Sequence, residues 1–294
     1  MTKETSHSEY GKIVDLFIKP VAAAFQNQQK INREWSALNY LDEPDFNKAI
    51  EEYDAFQSIL KNAGIILHQF SQSKDLTLDS MYCRDASIFT DFGIVLCQMG
   101  KNQRRTEPAA CQSDYLSNGF DILGEITGDG QLEGGDVAWI DDHTLAVANG
   151  YRTNDEGLRQ LSALLNPHGI DTMQVDLPHY KGTSDVFHLM SIFSPVDKDK
   201  AVVYSPLMPV RFRRLLLDRG IQLIEVPDEE FETMGCNVLA VAPSQCVMVK
   251  GNPITKERII AAGCELIEYQ GQEISVKGGG GPTCLTRPMK RLIE

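Results

Sequence analysis

The chain has 294 residues, of which 42% are hydrophobic and 23% charged, a composition typical of folded globular proteins. Its 28 lysines and arginines stand against 41 aspartates and glutamates, so the formal net charge is −13. We therefore expect no nucleic-acid partner, because binding phosphates requires a basic face that this chain lacks. A small cationic ligand fits the overall charge better.

The sequence also bears on the compartment. No apolar run approaches the roughly 20 residues that a membrane-spanning helix needs, so we expect no membrane partner. The N-terminal residues MTKETSH lack the apolar core of a secretion signal. The cysteines are seven, an odd number, and are scattered along the chain. This pattern favours reduced thiols in a cytoplasmic protein over a disulfide framework.

The first predicted elements are a strand at Lys12 to Ile18 and a helical segment at about 22–41. A helix follows, with Pro44 in its first turn and apolar residues at three-to-four spacing from Phe46 to Leu60. The segment at 22–41 does not belong to the repeat described next. Two interpretations of it remain open, a packing helix and part of a lid.

Five segments of the chain share one design. Each has an amphipathic helix, a glycine that can end the helix in a left-handed conformation, and then a β-rich run. The five glycines are Gly64, Gly119, Gly169, Gly220 and Gly263. They are spaced by 55, 50, 51 and 43 residues. Such a regular spacing indicates a repeat architecture.

Pairs of predicted strands lie between these helix–strand segments. The pairs are 86–89 with 93–97, 137–140 with 145–147, 187–193 with 201–204, and 237–241 with 247–249. A fifth pair would combine the strand after Cys284 with Lys12 to Ile18. The two chain ends would then meet in one sheet and close a ring. We predict an α/β fold of five pseudo-symmetric repeats, forming a single domain over residues 1–294.

Polar residues fall at matching points of these repeats. If the five repeats surround one axis, the first strand of each pair faces the centre. That strand begins with Asp79, Arg84 and Asp85 in the first repeat, Glu133 in the second, His188 in the third, Asn237 in the fourth and Cys284 in the fifth. Taken alone, Asp85 could be a turn residue, Glu133 a solvated carboxylate and His188 a core residue. Their shared repeat position favours a common site.

A run of four glycines, Gly278 to Gly281, precedes Cys284. Backbone without side chains allows a ligand to approach closely. Cys284 has no partner at C-x-x-C spacing, which favours a nucleophile over a metal ligand. The structural alternative is a flexible turn followed by a small buried residue.

Two carboxylates, a histidine and a thiol together suit one type of reaction. Carboxylates hold a planar delocalised cation through charge-assisted hydrogen bonds. A thiolate can attack the carbon of that cation, and its pKa falls beside positive charge. A histidine can protonate the departing amine and then deprotonate water. The set therefore predicts substitution at a guanidinium through an S-alkylthiouronium intermediate.

From about Ile13 to the C-terminus, these residues resemble the guanidino-group-modifying enzymes of the pentein fold. That fold is a five-bladed α/β-propeller of ββαβ-type repeats, found in arginine deiminases, dimethylarginine dimethylaminohydrolases and amidinotransferases. The resemblance implies that Asp85 and the Glu133 of an E-G-G-D segment bind the guanidinium. It implies that His188 is the general acid and base and Cys284 the nucleophile. Neither a metal nor an organic cofactor is implied.

The resemblance also implies residues that bind the amino-acid end of the substrate. Arg104 stands nineteen residues after Asp85, where the family has an arginine for the substrate carboxylate, and Arg152 stands a similar distance after Glu133. Asp79 lies six residues before Asp85, as in the dimethylarginine hydrolases. We expect these three side chains to position the substrate.

Met190 bears on the choice of substrate. Arginine deiminases have an aspartate two residues after the histidine, and this chain has Met190. Residues i and i+2 of a strand share a face, so Met190 should face the same ligand as His188. An apolar side chain there suits a methylated guanidinium better than a plain one. Ser191 also matches the dimethylarginine hydrolases, whereas Arg84 and the segment Thr286-Arg287-Pro288 are more deiminase-like.

We therefore expect a hydrolase that converts arginine or Nω-methylated arginine to citrulline and ammonia or an alkylamine, similar to dimethylarginine dimethylaminohydrolase. Arginine deimination and amidino transfer on the same scaffold remain open. A non-catalytic pentein binding protein is disfavoured because the cysteine, histidine and carboxylates are all present. The sequence leaves the oligomeric state open, including a homo-oligomer.

Overall fold

The computed structural model describes residues 2–293. The strands within this range are β1 (Lys3–Thr5), β2 (Lys12–Ile18), β3 (Ile66–Gln69), β4 (Ser87–Thr90), β5 (Gly93–Leu96), β6 (Ile122–Glu125), β7 (Val137–Trp139), β8 (Thr144–Asn149), β9 (Asp171–Asp176), β10 (Phe193–Asp197), β11 (Lys200–Val203), β12 (Gln222–Glu225), β13 (Leu239–Ala242), β14 (Gln245–Val249), β15 (Glu265–Tyr269) and β16 (Thr286–Ile293). The helices are α1 (Val21–Ala24), α2 (Gln28–Glu34), α3 (Phe46–Asn62), α4 (Glu107–Ser117), α5 (Asp155–Leu165), α6 (Val210–Asp218), α7 (Asp228–Phe231) and α8 (Pro253–Ala261). None of these helices is long and apolar enough to cross a membrane.

The strands form five small sheets with one repeated topology. In four of them an antiparallel hairpin is followed by a helix and a third, parallel strand: β4-β5-β6, β7-β8-β9, β10-β11-β12 and β13-β14-β15. The fifth has the order β1-β16-β2-β3. In it β16, the C-terminal strand, pairs antiparallel with β2 near the N-terminus. The chain ends therefore meet in one sheet. The predicted fold class, an α/β fold of five ββαβ-type repeats, is confirmed, whereas the single-domain organisation stays a prediction.

The repeat glycines adopt the backbone conformation that the sequence predicts. Each ends its helical segment with a positive φ, between 75° and 84°: Gly64, Gly119, Gly169, Gly220 and Gly263. A side chain would be strained at this φ, and the next residues enter the parallel strand of the same repeat.

The predicted segment at 22–41 contains α1 and α2 and then irregular chain. Ile31 and Leu38 are buried, so part of the segment packs against the core. Its end also contacts distant loops, because the Leu41 N–H donates to the Lys277 carbonyl (2.7 Å) and Asn39 Nδ2 donates to the Ser184 carbonyl (3.2 Å). The segment thus packs on the core, as one interpretation expects, and its end contacts the loops around Ser184 and Lys277, whereas a role as a lid stays a prediction.

The predicted strand at 187–193 is wrong except for its last residue. Phe193 begins β10, whereas Leu189 to Ser191 form a short 3₁₀ turn that His188 precedes. The His188 N–H donates to Ser191 Oγ (3.1 Å), and the Leu189 N–H donates to a carboxylate oxygen of Asp136 (3.2 Å). These side-chain acceptors compete with strand pairing and stabilise the turn.

The site residues lie just before the first strand of each repeat, not within it. Asp85 precedes β4, Asn237 precedes β13 and Cys284 precedes β16, each by two residues. Glu133 and His188 each precede a 3₁₀ turn that leads into the corresponding strand. The repeated topology therefore brings five equivalent loops together, one from each sheet.

Candidate active site

The structure brings the four predicted catalytic residues together. One polar atom from each of Asp85, Glu133 and His188 lies within 4.8 Å of the others. Cys284 lines the same cleft as Asp85 and His188. All four side chains are buried.

The cleft has two lobes, which share Val186, His188, Gly278, Gly279 and Cys284. The polar lobe, of about 20 Å³, is lined in addition by Asp79, Tyr82, Asp85, Lys101, Arg104 and Arg152. The lobe of about 110 Å³, called the apolar lobe here, is lined by Leu41, Tyr180, Met190, Phe231, Met234 and Val276. Polar side chains line it as well, namely Asn39, Lys181, Ser184, Asp185, Ser191, Glu232, Asn237 and Lys277.

Glu133 and His188 form a buried ion pair. Nε2 of His188 lies 2.7 Å from Oε2 of Glu133, a carboxylate that is fully buried. Burial opposes the charge of Glu133, but the hydrogen bond and charge of His188, together with Arg152, hold its pKa below the ordinary value. Burial likewise disfavours the imidazolium, but the charges of Asp136, Asp85 and Glu133 outweigh it and raise the pKa of His188 to about 9. His188 is therefore a cation at neutral pH.

Asp136 is a residue that the sequence reasoning did not assign to the site. Its two oxygens accept hydrogen bonds from the Leu189 N–H and from Thr153 Oγ1 (2.7 Å). Burial raises its pKa to about 6. It belongs to the same E-G-G-D segment as Glu133, so the motif itself was the available signal.

Asp85 has one paired and one unpaired carboxylate oxygen. Oδ2 lies 2.5 Å from Nη1 of Arg104, whereas Oδ1 is buried and has no hydrogen-bond partner in the structure. A buried acceptor without a donor is costly, and buried polar groups are normally paired. Because Asp85 lines the polar lobe, this oxygen is available to an N–H donor of a ligand.

Both predicted substrate-binding arginines are paired with carboxylates of the site. Arg104 donates to Glu107 through Nε and Nη2 (2.9 and 2.8 Å), in addition to Asp85. Nη1 of Arg152 lies 3.2 Å from Oε2 of Glu133, and Nη2 donates to the Asp185 carbonyl. Each arginine thus orients a carboxylate, and their contact with a substrate carboxylate stays a prediction.

Asp79 lines the polar lobe as expected, but it is paired with Lys101, which the sequence did not single out. Lys101 Nζ lies 2.6 Å from Asp79 and also donates to the Leu38 carbonyl (2.8 Å). The Lys101 N–H donates to Oε1 of Glu133 (3.0 Å). Arg84, by contrast, is not in the cleft, because its guanidinium pairs with the buried Glu9 (2.8 Å).

Cys284 is held by hydrogen-bonding neighbours. Asn237 Nδ2 lies 3.5 Å from the sulfur, and Thr283 Oγ1 lies 3.9 Å from it. Burial, followed by the negative charge of Asp85, raises the pKa of the thiol. In these surroundings the thiol is therefore protonated at neutral pH. Asn237 was noted in the sequence by its repeat position alone, and the structure places it beside the nucleophile.

The glycine run before Cys284 has a packing reason. A Cβ at Gly278 or Gly280 would overlap the ring of Tyr82, and one at Gly281 would lie 2.5 Å from the side chain of Asn237. The Tyr82 hydroxyl donates to the Ile274 carbonyl (3.1 Å), which fixes the ring against the loop. Glycines thus allow this loop to pass between Tyr82 and Asn237 to the thiol.

Met190 lines the apolar lobe together with His188 and Cys284. The reason given for this from sequence was wrong, since residues 189–191 form a turn and not a strand. The turn nevertheless leaves Met190 at the cleft.

The spacing of Asp85, Glu133 and His188 would allow a metal ion to bind. The charges at the site favour a different ligand. A protonated His188 cannot act as a metal ligand, and both carboxylates already face arginines. The unpaired Oδ1 of Asp85 suits an organic cation that carries N–H donors.

The five-repeat fold and this site define a pentein-type hydrolase that acts on guanidino C–N bonds. More particularly, the chain belongs to the N,N dimethylarginine dimethylhydrolase family, in its eukaryotic form, whose model matches residues 19–291.

Related proteins support this assignment. The chain is 24% identical over 248 residues to N(G),N(G)-dimethylarginine dimethylaminohydrolase of Pseudomonas aeruginosa, covering 84% of this chain and 91% of the relative. It is 27% identical over 252 residues to the protein of the same name from Streptomyces coelicolor, covering 85% and 89%.

Solved structures share the fold. Dimethylarginine dimethylaminohydrolase from Pseudomonas aeruginosa in complex with citrulline aligns with a TM-score of 0.76 at 20% identity, covering 94% of this chain and 99% of that one. The product-bound N-terminal domain of ArgZ, an arginine dihydrolase of cyanobacteria, aligns with a TM-score of 0.79 at 19% identity, covering 94% and 97%.

Proposed function

We propose that this protein hydrolyses Nω-methylated arginine to citrulline and an alkylamine through a covalent intermediate on Cys284. The observation that carries the proposal is the unpaired, buried Oδ1 of Asp85, which lines one cleft with His188 and Cys284. A guanidinium would supply the missing N–H donor. Asp85 and Glu133 would then hold the cation by charge-assisted hydrogen bonds.

Substrate binding would activate the nucleophile. Burial, followed by the negative charge of Asp85, raises the pKa of the Cys284 thiol and keeps it protonated. A bound guanidinium places a positive charge there and lowers the pKa of the thiol. The thiol then loses its proton to solvent, since His188 is already protonated, and the thiolate forms when its electrophile is present.

His188 would handle the protons. Its pKa of about 9 makes it a proton donor at neutral pH. The sulfur of Cys284 bonds to the guanidinium carbon, the C–N bond to the substituted nitrogen breaks, and the proton of His188 goes to the departing amine. Water then attacks the thiouronium carbon, neutral His188 takes its proton, and the C–S bond breaks to release the ureido product.

Met190 supports a methylated substrate over plain arginine. Met190 lines the apolar lobe together with His188, and its thioether side chain offers no good acceptor to a plain guanidinium nitrogen. A methyl group on that nitrogen needs no hydrogen-bond acceptor. Deimination of arginine would use the same steps with ammonia as the leaving group, and amidino transfer would need an amine to replace water.

The test is a turnover assay with arginine, monomethyl- and dimethylarginine, agmatine and simple guanidino acids. We expect citrulline and methylamine or dimethylamine from the methylated arginines. The Asp85→Asn variant should lose about 10²–10³ in kcat/KM, because it removes an anion that binds the cation. Asp141→Asn, at a partly exposed ion pair with Arg219, is the matched control and should retain activity.

Two results would overturn the proposal. Plain arginine processed faster than every methylated form would contradict the role of Met190. Release of amine without a ureido product would contradict hydrolysis and favour transfer.

A further inference from the structure

The apolar lobe is larger than the proposed methylated substrate requires. Its volume is about 110 Å³, against about 20 Å³ for the polar lobe. A water-sized group needs roughly 10–15 Å³ on the same measure, so the apolar lobe has room for several groups of methyl size. The two methyl groups of a dimethylated nitrogen would occupy only part of it.

This lobe also has the right position for a substituent on the leaving nitrogen. His188, which donates the proton to that nitrogen, lines both lobes, as does Cys284. The polar lobe contains the ion pairs of Asp79 with Lys101 and of Asp85 with Arg104. Carbon atoms placed there would desolvate these charges at a cost. The apolar lobe has charged residues too, but it also offers a wall of apolar side chains against which carbon can pack, and the polar lobe has no comparable wall.

The walls of the apolar lobe suit an alkyl chain. Met190, Phe231, Met234 and Val276 present carbon and sulfur atoms to it. Met234 has a φ of 69°, and Asn39, on the same lobe, has a φ of 66°. The left-handed region is unfavourable for methionine, and residues held in such conformations cluster at ligand sites.

We propose that the apolar lobe is a subsite for the leaving amine, and that the protein accepts Nω-alkyl arginines whose linear chain is longer than methyl. The inference rests on the proposed function, because the amine must be displaced by Cys284. In the reaction the C–S bond forms, the C–N bond to the alkylamine breaks, and the proton of His188 goes to that nitrogen. The alkylamine then leaves through the lobe.

The first test measures binding without chemistry. In the Cys284→Ser variant, dissociation constants are measured by calorimetry for Nω-methyl-, ethyl-, propyl- and butylarginine. Burial of each added methylene in an apolar site should strengthen binding by about fourfold until the lobe is full. The wild-type protein should release the corresponding alkylamine from each compound.

A matched pair of variants tests whether the alkyl chain of the ligand lies in the apolar lobe. Val276→Phe reduces the space in the lobe and should abolish the gain from methyl to butyl. Val210→Phe makes the same change at an exposed valine on α6, which does not line the cleft, and should leave the gain intact. Both are introduced into the Cys284→Ser protein, and thermal denaturation checks that each is folded.

The outcomes separate the two proposals. Binding that weakens steadily from methyl to butyl, or a gain that survives in folded Val276→Phe, overturns the subsite while methylarginine turnover still supports the proposed function. If Val276→Phe does not fold, the trend in binding from methyl- to butylarginine alone decides whether the subsite exists. If no guanidino compound binds or reacts, the proposed function fails and the subsite with it.

Discussion

The two lobes of the cleft are built by different physical means. In the polar lobe, buried ion pairs hold the side chains: Asp85 with Arg104, Glu133 with His188 and Asp79 with Lys101. In the apolar lobe, the side chains of Met190, Phe231, Met234 and Val276 contribute apolar surface, and two lining residues, Asn39 and Met234, have a positive φ. The polar lobe thus defines the charge of the ligand, and the apolar lobe defines which substituent it carries.

The lobes also come from different parts of the ring. Apart from the residues shared by both lobes and Gly280, the polar lobe is lined by the first two repeats, from Asp79 to Arg152. The apolar lobe is lined by the third to fifth repeats and the segment around Asn39. His188 and Cys284 lie where they meet. Substitutions in the polar lobe should therefore lower the rate of the reaction, and substitutions in the apolar lobe should change which substrate is preferred.

The largest effect on activity is expected where the two lobes meet, at Cys284. Cys284→Ser should lower kcat by about a thousandfold or more, because loss of a nucleophile in other hydrolases costs at least that much. Citrulline formation measures the rate. The exchange is nearly isosteric, so the melting temperature should change little, and a variant with full turnover would contradict covalent catalysis.

The next effect concerns the loop that carries the thiol. Gly280→Ala should lower kcat by about a hundredfold, since the added Cβ would overlap Tyr82 and shift the loop, and small displacements of reacting groups are that costly. Gly128→Ala is the control, because its added Cβ would meet no neighbouring atom within 4 Å, although the φ of Gly128 is positive and that of Gly280 is not. Equal losses in both variants would show that the loss does not depend on overlap with Tyr82.

A smaller effect is expected at the wall of the apolar lobe. Met190→Asp should change the ratio of kcat/KM for methylated to plain arginine by about tenfold or more in favour of arginine, because the new carboxylate can accept from an unsubstituted nitrogen. Met190→Leu, which nearly conserves volume, should keep the preference for the methylated form. An unchanged ratio in Met190→Asp would remove this residue from substrate selection.

The sequence was sufficient for the fold because the repeat leaves strong local signals. The helix-ending glycines have a positive φ, and the last strand pairs with Lys12–Ile18. The matched repeat positions also brought Asp85, His188 and Cys284 to one cleft, with Glu133 beside Asp85 and His188.

What the sequence could not give were the contacts between repeats. Lys101 reaches Asp79 and the Leu38 carbonyl through the tertiary fold, and no local pattern marks it. The predicted strand at 187–193 failed for a similar reason, since a carboxylate oxygen of Asp136, from another repeat, binds the Leu189 N–H. Long-range hydrogen bonds of this kind override a local apolar pattern.

The smallest expected effect is a shift in the pH dependence of kcat, which tests how nearby carboxylates set the pKa of His188. The pKa of His188 is raised to about 9, with Asp136 the strongest of the charges that raise it, so the proton donor is present below that pH and lost above it. Asp136→Asn removes this negative charge and should lower the pKa of His188. The alkaline limb of kcat should therefore move to lower pH, with a loss of several-fold at pH 8–9 and little change near pH 7. Asp141→Asn, at a partly exposed ion pair, should leave the limb in place. If the alkaline limb of kcat stays at the same pH in Asp136→Asn, then a group other than His188 is responsible for that limb.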